Sequence, residues 1–250
     1  LKFTIKQQKT VQEIQINLNS TILCFLQNVR KYMLKDSMNQ LEPLNFRIAE
    51  PEDIHTLGLL HRRAFNDSLG ASIGFQYSKA FFKWFVINKT TITLVCCNSK
   101  QIIGYVIGAP EGYSKNLTKS ILPEIIFGLI SHPKSLFHPN FFSLLQSRIK
   151  NLFEIKSNIL NSNKTPNSSD KKNTTFVLVG IGVDPKFRGN QIGFQILQEY
   201  EKLVWKLNYT KIRLTVYKSN EAAISLYKKS NWSLFNQAGD KLTYLKKYQD

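Results

Sequence analysis

Apolar residues along this chain alternate in some stretches, recur every three or four positions in others, and lose all period elsewhere; these changes mark out its elements. Phe46-Arg47-Ile48 reads as a strand, Glu50-Pro51-Glu52-Asp53 as a turn, and Ile54 to Phe65 as an amphipathic helix whose proline and early acidic residues suit its positive end. Ser68 to Phe75 leads into an aromatic helix, Tyr77 to Phe85. Thr91 to Cys96 and Ile102 to Gly108, joined through Asn98-Ser99-Lys100-Gln101, form a hairpin. Phe176 to Val183 is a buried strand, and Phe194, Leu197, Tyr200, Val204 and Leu207 then recur at helical spacing. Ile212, Leu214 and Val216 alternate with Arg213, Thr215 and Tyr217, as a half-buried strand requires. Trp232 to Phe235 and Leu242 to Leu245 flank a turn and read as a closing hairpin.

Two regions depart from this order. Residues 1–43 form an extension in which Ile22, Phe25, Leu26, Val29 and Met33 share one helical stripe; the stretch is either a docked helix or an artefact of a start at Met33 or Met38. Residues 44–250 form the domain, interrupted by an insertion at 109–175. Within it Ile121 to Ile130 and Phe141 to Phe153 are apolar enough for two helices. Asn161 to Asn173 has no period and reads as a mobile loop. The insertion is open to use as a lid, an aromatic acceptor pocket, a dimer contact or a membrane-touching patch.

Between the strand that ends at Val183 and the helix after it lies Asp184-Pro185-Lys186-Phe187-Arg188-Gly189-Asn190-Gln191-Ile192-Gly193. A helix opening near Gln191 leaves its first amides unpaired and carries roughly half a positive charge at that end. Gly189 and Gly193 remove side chains where a ligand would approach the backbone. The turn is therefore a cradle for phosphate, to which Arg188 can add a charge-assisted contact. It lacks the Lys-Ser/Thr ending of the ATP/GTP P-loop and the glycine spacing of the dinucleotide fingerprint.

Val183-x-Pro185-x-x-Arg188-Gly189-x-x-x-Gly193 after an apolar strand resembles the acetyl-CoA pyrophosphate loop of the GCN5-related N-acetyltransferases, with Gln191 where that family usually has glycine. Ordinary helical dihedrals at Gln191 would still aim its amide at phosphate. A second stretch, Asn220-Glu221-Ala222-Ala223-Ile224-Ser225-Leu226-Tyr227-Lys228-Lys229-Ser230-Asn231-Trp232, resembles the family's Asn-x-x-Ala-x-x-Leu-Tyr-x-x-x-Gly-Phe segment. Asn231 stands for glycine, and asparagine tolerates the left-handed conformation; Trp232 stands for phenylalanine.

The resemblance implies an α/β (α+β) fold: a mixed, mostly antiparallel central sheet of about six or seven strands, splayed at the cofactor strand and flanked by helices. It implies acetyl-CoA as co-substrate, held by Ile181, Gly182, Val183, Arg188, Gly189, Asn190, Gln191, Ile192, Gly193 and Asn220. Gly180 and Gly182 suit a close backbone approach by the pantetheine arm. Tyr227 resembles the general acid, since a phenol can protonate a departing thiolate at neutral pH. Residues 176–183 contain no Asp, Glu or His, so the base falls to His61, Asp67, Glu111 or water. Deprotonating an alkylamine of pKa ~10.4 at pH 7 costs about 4 to 5 kcal/mol and an amine of pKa ~8 about 1, which favours the less basic acceptors. His61, Asp67, Ser68 and Tyr77 are candidates to line the acceptor site.

Charge and cysteine content change this picture little. The chain holds 34 Lys+Arg against 17 Asp+Glu, a formal +17. That fits an AT-rich genome's codons, phosphorylated ligands or an acidic surface, yet aromatic and basic residues are not interleaved in any nucleic-acid motif, so no nucleic-acid partner is expected. Cys24, Cys96 and Cys97 make neither a disulfide framework nor a zinc site, and His132 and His138 lack a third ligand at metal spacing. No apolar run approaches the ~18 to 20 residues of a membrane span, and a reducing cytoplasm is the expected compartment. The expected partner is a small-molecule amine, with a homodimer left open. An amino sugar or nucleotide-linked amino sugar is the first choice, on a loose likeness of the opening helices to acetyltransferases of bacterial surface-polysaccharide synthesis. A protein or peptide amine comes second, and a non-catalytic module that keeps the fold and uses its basic surface on nucleic acid is the rival from another class.

Overall fold

A computed structural model describes residues 43–66, 68–99, 101–134 and 174–248. The N-terminal stripe, Asp67, His138, the helix expected over Phe141–Phe153 and the loop expected over Asn161–Asn173 lie outside the described residues. From Asn45 onward the chain builds one unit around a seven-stranded sheet. Its strands are β1 (Asn45–Ile48), β2 (Ile92–Asn98), β3 (Gln101–Pro110), β4 (Thr175–Val183), β5 (Lys211–Tyr217), β6 (Ser233–Ala238) and β7 (Lys241–Lys247), in the spatial order β1-β2-β3-β4-β5-β7-β6. All neighbours pair antiparallel except β4 and β5.

That parallel pair opens the molecule. Thr175, Phe176 and Val177 pair with Lys211, Ile212 and Arg213, and from Leu178 onward the two strands have no further partners in each other. Opposite, the β3–β4 register slips between Ile107 and Gly108, which leaves Val179 as a bulge residue and turns β4 away. The far half of β4 thus presents one edge of backbone groups to a wedge between the two half-sheets.

Among the described residues six helices flank the sheet: α1 (Ile54–Ala64), α2 (Leu69–Ile73), α3 (Phe75–Ile87), α4 (Tyr113–Ser131), α5 (Ile192–Lys206) and α6 (Glu221–Lys229). The sheet's alternation assigns them to faces. On β3, Gly104 looks toward Ile192 of α5, while its neighbour Tyr105 meets His61 of α1. Ahead of α1 the expected turn is a single 3-10 turn, Pro51–Asp53, closed by a reciprocal Glu50/Asp53 capping box. Asp53 also takes two bonds from the Arg47 guanidinium at 2.6 and 2.9 Å, which hold its carboxyl below the usual range.

Three details differ from the sequence pattern. Helix α4 begins at Tyr113 rather than Ile121 and carries Pro123 inside it; Leu117, Ile121 and Ile125 are buried on its inner face. In α5 the buried residues are Ile192, Ile196, Leu197, Tyr200, Glu201 and Val204, whereas Phe194 is half-buried and Leu207, beyond the helix end, is exposed. Glu201, a polar position between stripe residues, is 6 % exposed because Trp232 Nε1 donates to it at 2.7 Å and Lys246 at 2.6 Å. Desolvation still raises its pKa, against the lowering effect of Lys246.

Candidate acyl-CoA and acceptor site

The turn after β4 is built so that a run of its amides stays unpaired. Asp184 accepts from Lys186 N and opens the 3-10 turn Pro185–Phe187. The amides of Phe187 and Arg188 bond back to Asp184 and Pro185, and that of Phe194 to Gln191. Those between, Gly189 to Gly193, find no acceptor among the described residues. They sit at the positive end of α5, where an anion is favoured.

Gln191 overturns one expectation. It is the N-cap of α5 and lies at φ 58, ψ 11, in the left-handed region rather than the helical one. A glycine makes that turn freely, while glutamine is strained by roughly 1 to 2 kcal/mol. Asn231, expected to tolerate the same region, does adopt it, at φ 60.

Arg188 is used differently from the expected phosphate contact. Its guanidinium donates to the Ala64 carbonyl at 2.7 Å, at the C-terminal end of α1, and its Nε approaches the Val183 carbonyl at 3.4 Å. Arg63 of α1 returns the tie to Asp184 at 3.1 Å. These two links hold the loop against α1 and leave the Arg188 charge beside the amides.

Two cavities meet along β4. One of about 600 Å³ is walled by Ile181, Gly182 and Val183, by Phe187, Arg188, Gly189, Gln191, Ile192 and Gly193 but not Asn190, and by Asn220, Ala223, Leu226 and Lys229. Lys229 Nζ lies 5.3 Å above the Phe194 ring at its rim. The second, of about 320 Å³, is lined by His61, Phe65, Ser68, Gly70, Tyr77, Ser78, Phe81, Tyr105, Tyr217 and Tyr227, with Val179 to Ile181 as its floor. Phe65, Ile181, Asn220 and Ala223 border both. The geometry suits a long ligand with a phosphorylated end that delivers its tip into a second, aromatic chamber.

The remaining sequence-predicted residues separate into those the fold gathers and those it does not. His61, Ser68 and Tyr77 share the smaller cavity with Tyr227. Tyr227 is 5 % exposed, packed on Trp232 and Tyr244, and its burial raises the phenol pKa well above 10. Asn220 caps α6 through its side-chain oxygen, which accepts from Ala223 N at 3.1 Å. Asn190 donates to the Phe187 carbonyl at 3.2 Å and stiffens the loop. Glu111 does not line either cavity: it pairs with Arg213 at 2.7 Å, and its amide bonds to Thr175, where β4 and β5 are still joined. Gly182 is not open for a ligand on its side-chain face, because a Cβ there would stand 2.6 Å from the Tyr105 ring. Its free edge is the backbone.

Tyr105 is the residue sequence reasoning missed. It is 1 % exposed, and its hydroxyl lies 2.7 Å from His61 Nδ1. The signal was present only as an aromatic among aliphatics in β3. Burial pushes the His61 imidazole down to about 4, so it is neutral at pH 7. Among the described residues no group of three metal-ligating side chains is placed to hold an ion, and no helix is long and apolar enough to cross a membrane.

Comparisons with known proteins agree with the fold. Residues 158–232 match the model of the acetyltransferase (GNAT) family. The fold is similar to that of a PaiA N-acetyltransferase from Thermoplasma acidophilum in complex with coenzyme A, at 14 % identity, 82 % of this chain, 99 % of that chain and a TM-score of 0.51. It is similar to Arabidopsis thaliana NAA60 in complex with acetyl-CoA, at 15 % identity over 82 % of this chain and 98 % of that one, TM-score 0.51. PH1933 from Pyrococcus horikoshii OT3 gives the same TM-score of 0.51 at 14 % identity, covering 83 % and 99 %. No curated protein matches the sequence.

Proposed function

Because the chain belongs to the GNAT superfamily of N-acetyltransferases, we propose that its two joined cavities carry out direct transfer of an acetyl group from acetyl-CoA to a small primary amine. The observation that carries this reading is the run of free amides from Gly189 to Gly193 at the head of α5, opening into a groove that follows the unpaired edge of β4. The diphosphate of the co-substrate would lie on those amides, in a field set by α5 and the Arg188 charge. The pantetheine arm would then pair with β4 beyond Val177 and bring the thioester to the border between the cavities, near Ile181 and Asn220.

In the smaller cavity the nitrogen of the neutral amine attacks the thioester carbon, the C–S bond breaks, the sulfur takes a proton, and the proton the nitrogen sheds passes to water, which restores the donor. Tyr227, which borders this cavity, would give that proton, and its raised pKa keeps it protonated over the working range. The walls orient and desolvate the reactants, so much of the rate comes from positioning. Amino sugars, the first expectation, would find Ser68 and tyrosine hydroxyls as polar partners. The aromatic walls Phe65, Phe81, Tyr77 and Tyr217 favour the second reading, an amine on an apolar body such as a peptide α-amine. Release of free thiol from acetyl-CoA, measured against amino sugars, peptide amines and arylalkylamines, tests the proposal. Thiol appears with at least one class if it holds; none above the blank, with a folded protein, overturns it.

A further inference from the structure

The aromatic chamber contains one side chain whose hydrogen-bonding role is fixed by its neighbour. Tyr105 lies enclosed between α1 and β4, and its hydroxyl proton has a single acceptor among the described residues, His61 Nδ1 at 2.7 Å. A buried hydroxyl keeps its proton on an acceptor, since leaving a donor unpaired away from water is unfavourable. His61 therefore accepts at Nδ1, and the ring proton resides on Nε2.

The far side of the imidazole is left for something outside the protein. Nε2 has no partner among the described residues and is not one of the fully enclosed unpartnered atoms. It faces the hollow at Gly70, where a Cβ would stand 3.7 Å from Nε2, 3.2 Å from the Tyr77 ring and 3.9 Å from Ser68 Oγ. Around it Phe65, Phe81 and Phe82 pack on the imidazole and hold its plane. The result is one oriented N–H in an otherwise largely aromatic wall.

On the reading that this chamber takes the amine, we propose that His61 is its specificity-determining donor: its Nε2–H bonds a neutral oxygen, carbonyl or ether, on an acceptor whose body is apolar. Such a group discriminates strongly, because an analogue lacking the oxygen strands a desolvated N–H. His61 is thereby a recognition group and does not remove the proton from the amine.

The test pairs each amine with a partner lacking the oxygen: phenylalaninamide with phenethylamine, and 4-methoxybenzylamine with 4-ethylbenzylamine. His61→Asn keeps an acceptor near the position of Nδ1 for Tyr105 but withdraws the donor from the chamber. In at least one pair it raises KM for the oxygen-bearing amine about tenfold, changes KM for its partner less than about twofold, and leaves kcat nearly constant. Tyr105→Phe, which frees the tautomer, shifts the same ratio in the same direction by a smaller factor. Calorimetry with coenzyme A on parent and variants separates the layers. If the parent binds coenzyme A but both members of every pair lose equally, or none is acetylated, the assignment of His61 is overturned while the acyl-CoA site stands. If the parent gives no heat with coenzyme A, the underlying reading fails and this one with it.

Discussion

Replacing Gln191 by glycine should make this protein more stable and no weaker in binding its co-substrate. Gln191 holds φ 58, ψ 11 at the head of α5, where an L-residue is disfavoured by about 1 to 2 kcal/mol. Glycine removes that strain but surrenders roughly 0.5 to 1 kcal/mol through its freer unfolded chain, so the net gain is about 0.5 to 1 kcal/mol. In a unit of this size that is a rise in Tm of about 1 to 4 °C. A β-branched residue works the other way, and Gln191→Val should lose at least about 1 kcal/mol, because its crowded Cβ fits the left-handed region worst. Thermal and urea unfolding of parent, Gln191→Gly and Gln191→Val supply the ranking, with coenzyme A titrations on the same samples. Glycine is expected above parent and valine below, with affinity for coenzyme A equal or a few-fold better in the glycine variant. Equal stability of all three would mean that residue 191 has ordinary helical dihedrals and that the account of this turn is wrong.

Gly182→Ala would press a methyl group to within 2.6 Å of the Tyr105 ring; it should cost about 1 to 3 kcal/mol by overpacking, and much less when combined with Tyr105→Val. Additive losses measured by urea unfolding would refute that contact. Tyr227→Phe should lower kcat by about 100-fold while calorimetric affinity for coenzyme A is unchanged, and the parent should show no basic limb from this group below pH ~10, since burial raises its pKa. A kcat within twofold of parent would remove Tyr227 from the proton transfer. His61 titrates near 4 in the folded protein against about 6.5 unfolded. Its contribution is therefore present in full above pH ~6.5 and is lost as pH falls toward 4, an effect on the order of 3 kcal/mol. Denaturation curves from pH 7.5 to 4 should fall more steeply for the parent than for His61→Gln, and parallel curves would contradict the burial.

Much of the framework was legible because it is written in local periods. Strand alternation at Ile212, Leu214 and Val216, the glycines flanking the loop, and the Asn220 to Tyr227 helix each depend on residues close in sequence. What the pattern hid depends on partners far away. Arg188 looked free to meet a phosphate, yet its guanidinium is bound to a carbonyl 124 residues earlier in the chain. Glu201 falls at a polar position of the α5 period, yet it is buried, and Trp232 and Lys246 make that burial tolerable. The first turns of α4, residues 113–120, were hidden because Ser114, Lys115, Asn116, Thr118, Lys119 and Ser120 leave no apolar run there. Gly182 suggested room for a ligand, while the residue across the sheet from it, Tyr105, already occupied that room.

The account rests on the amides from Gly189 to Gly193 receiving a diphosphate. Calorimetry comparing coenzyme A with pantetheine, which shares the thiol arm and lacks the nucleotide diphosphate, measures that contribution directly. Binding of coenzyme A at least tenfold tighter, with the gap narrowing as salt is raised, is the predicted result. Equal affinity for the two, or no heat from either, would contradict it.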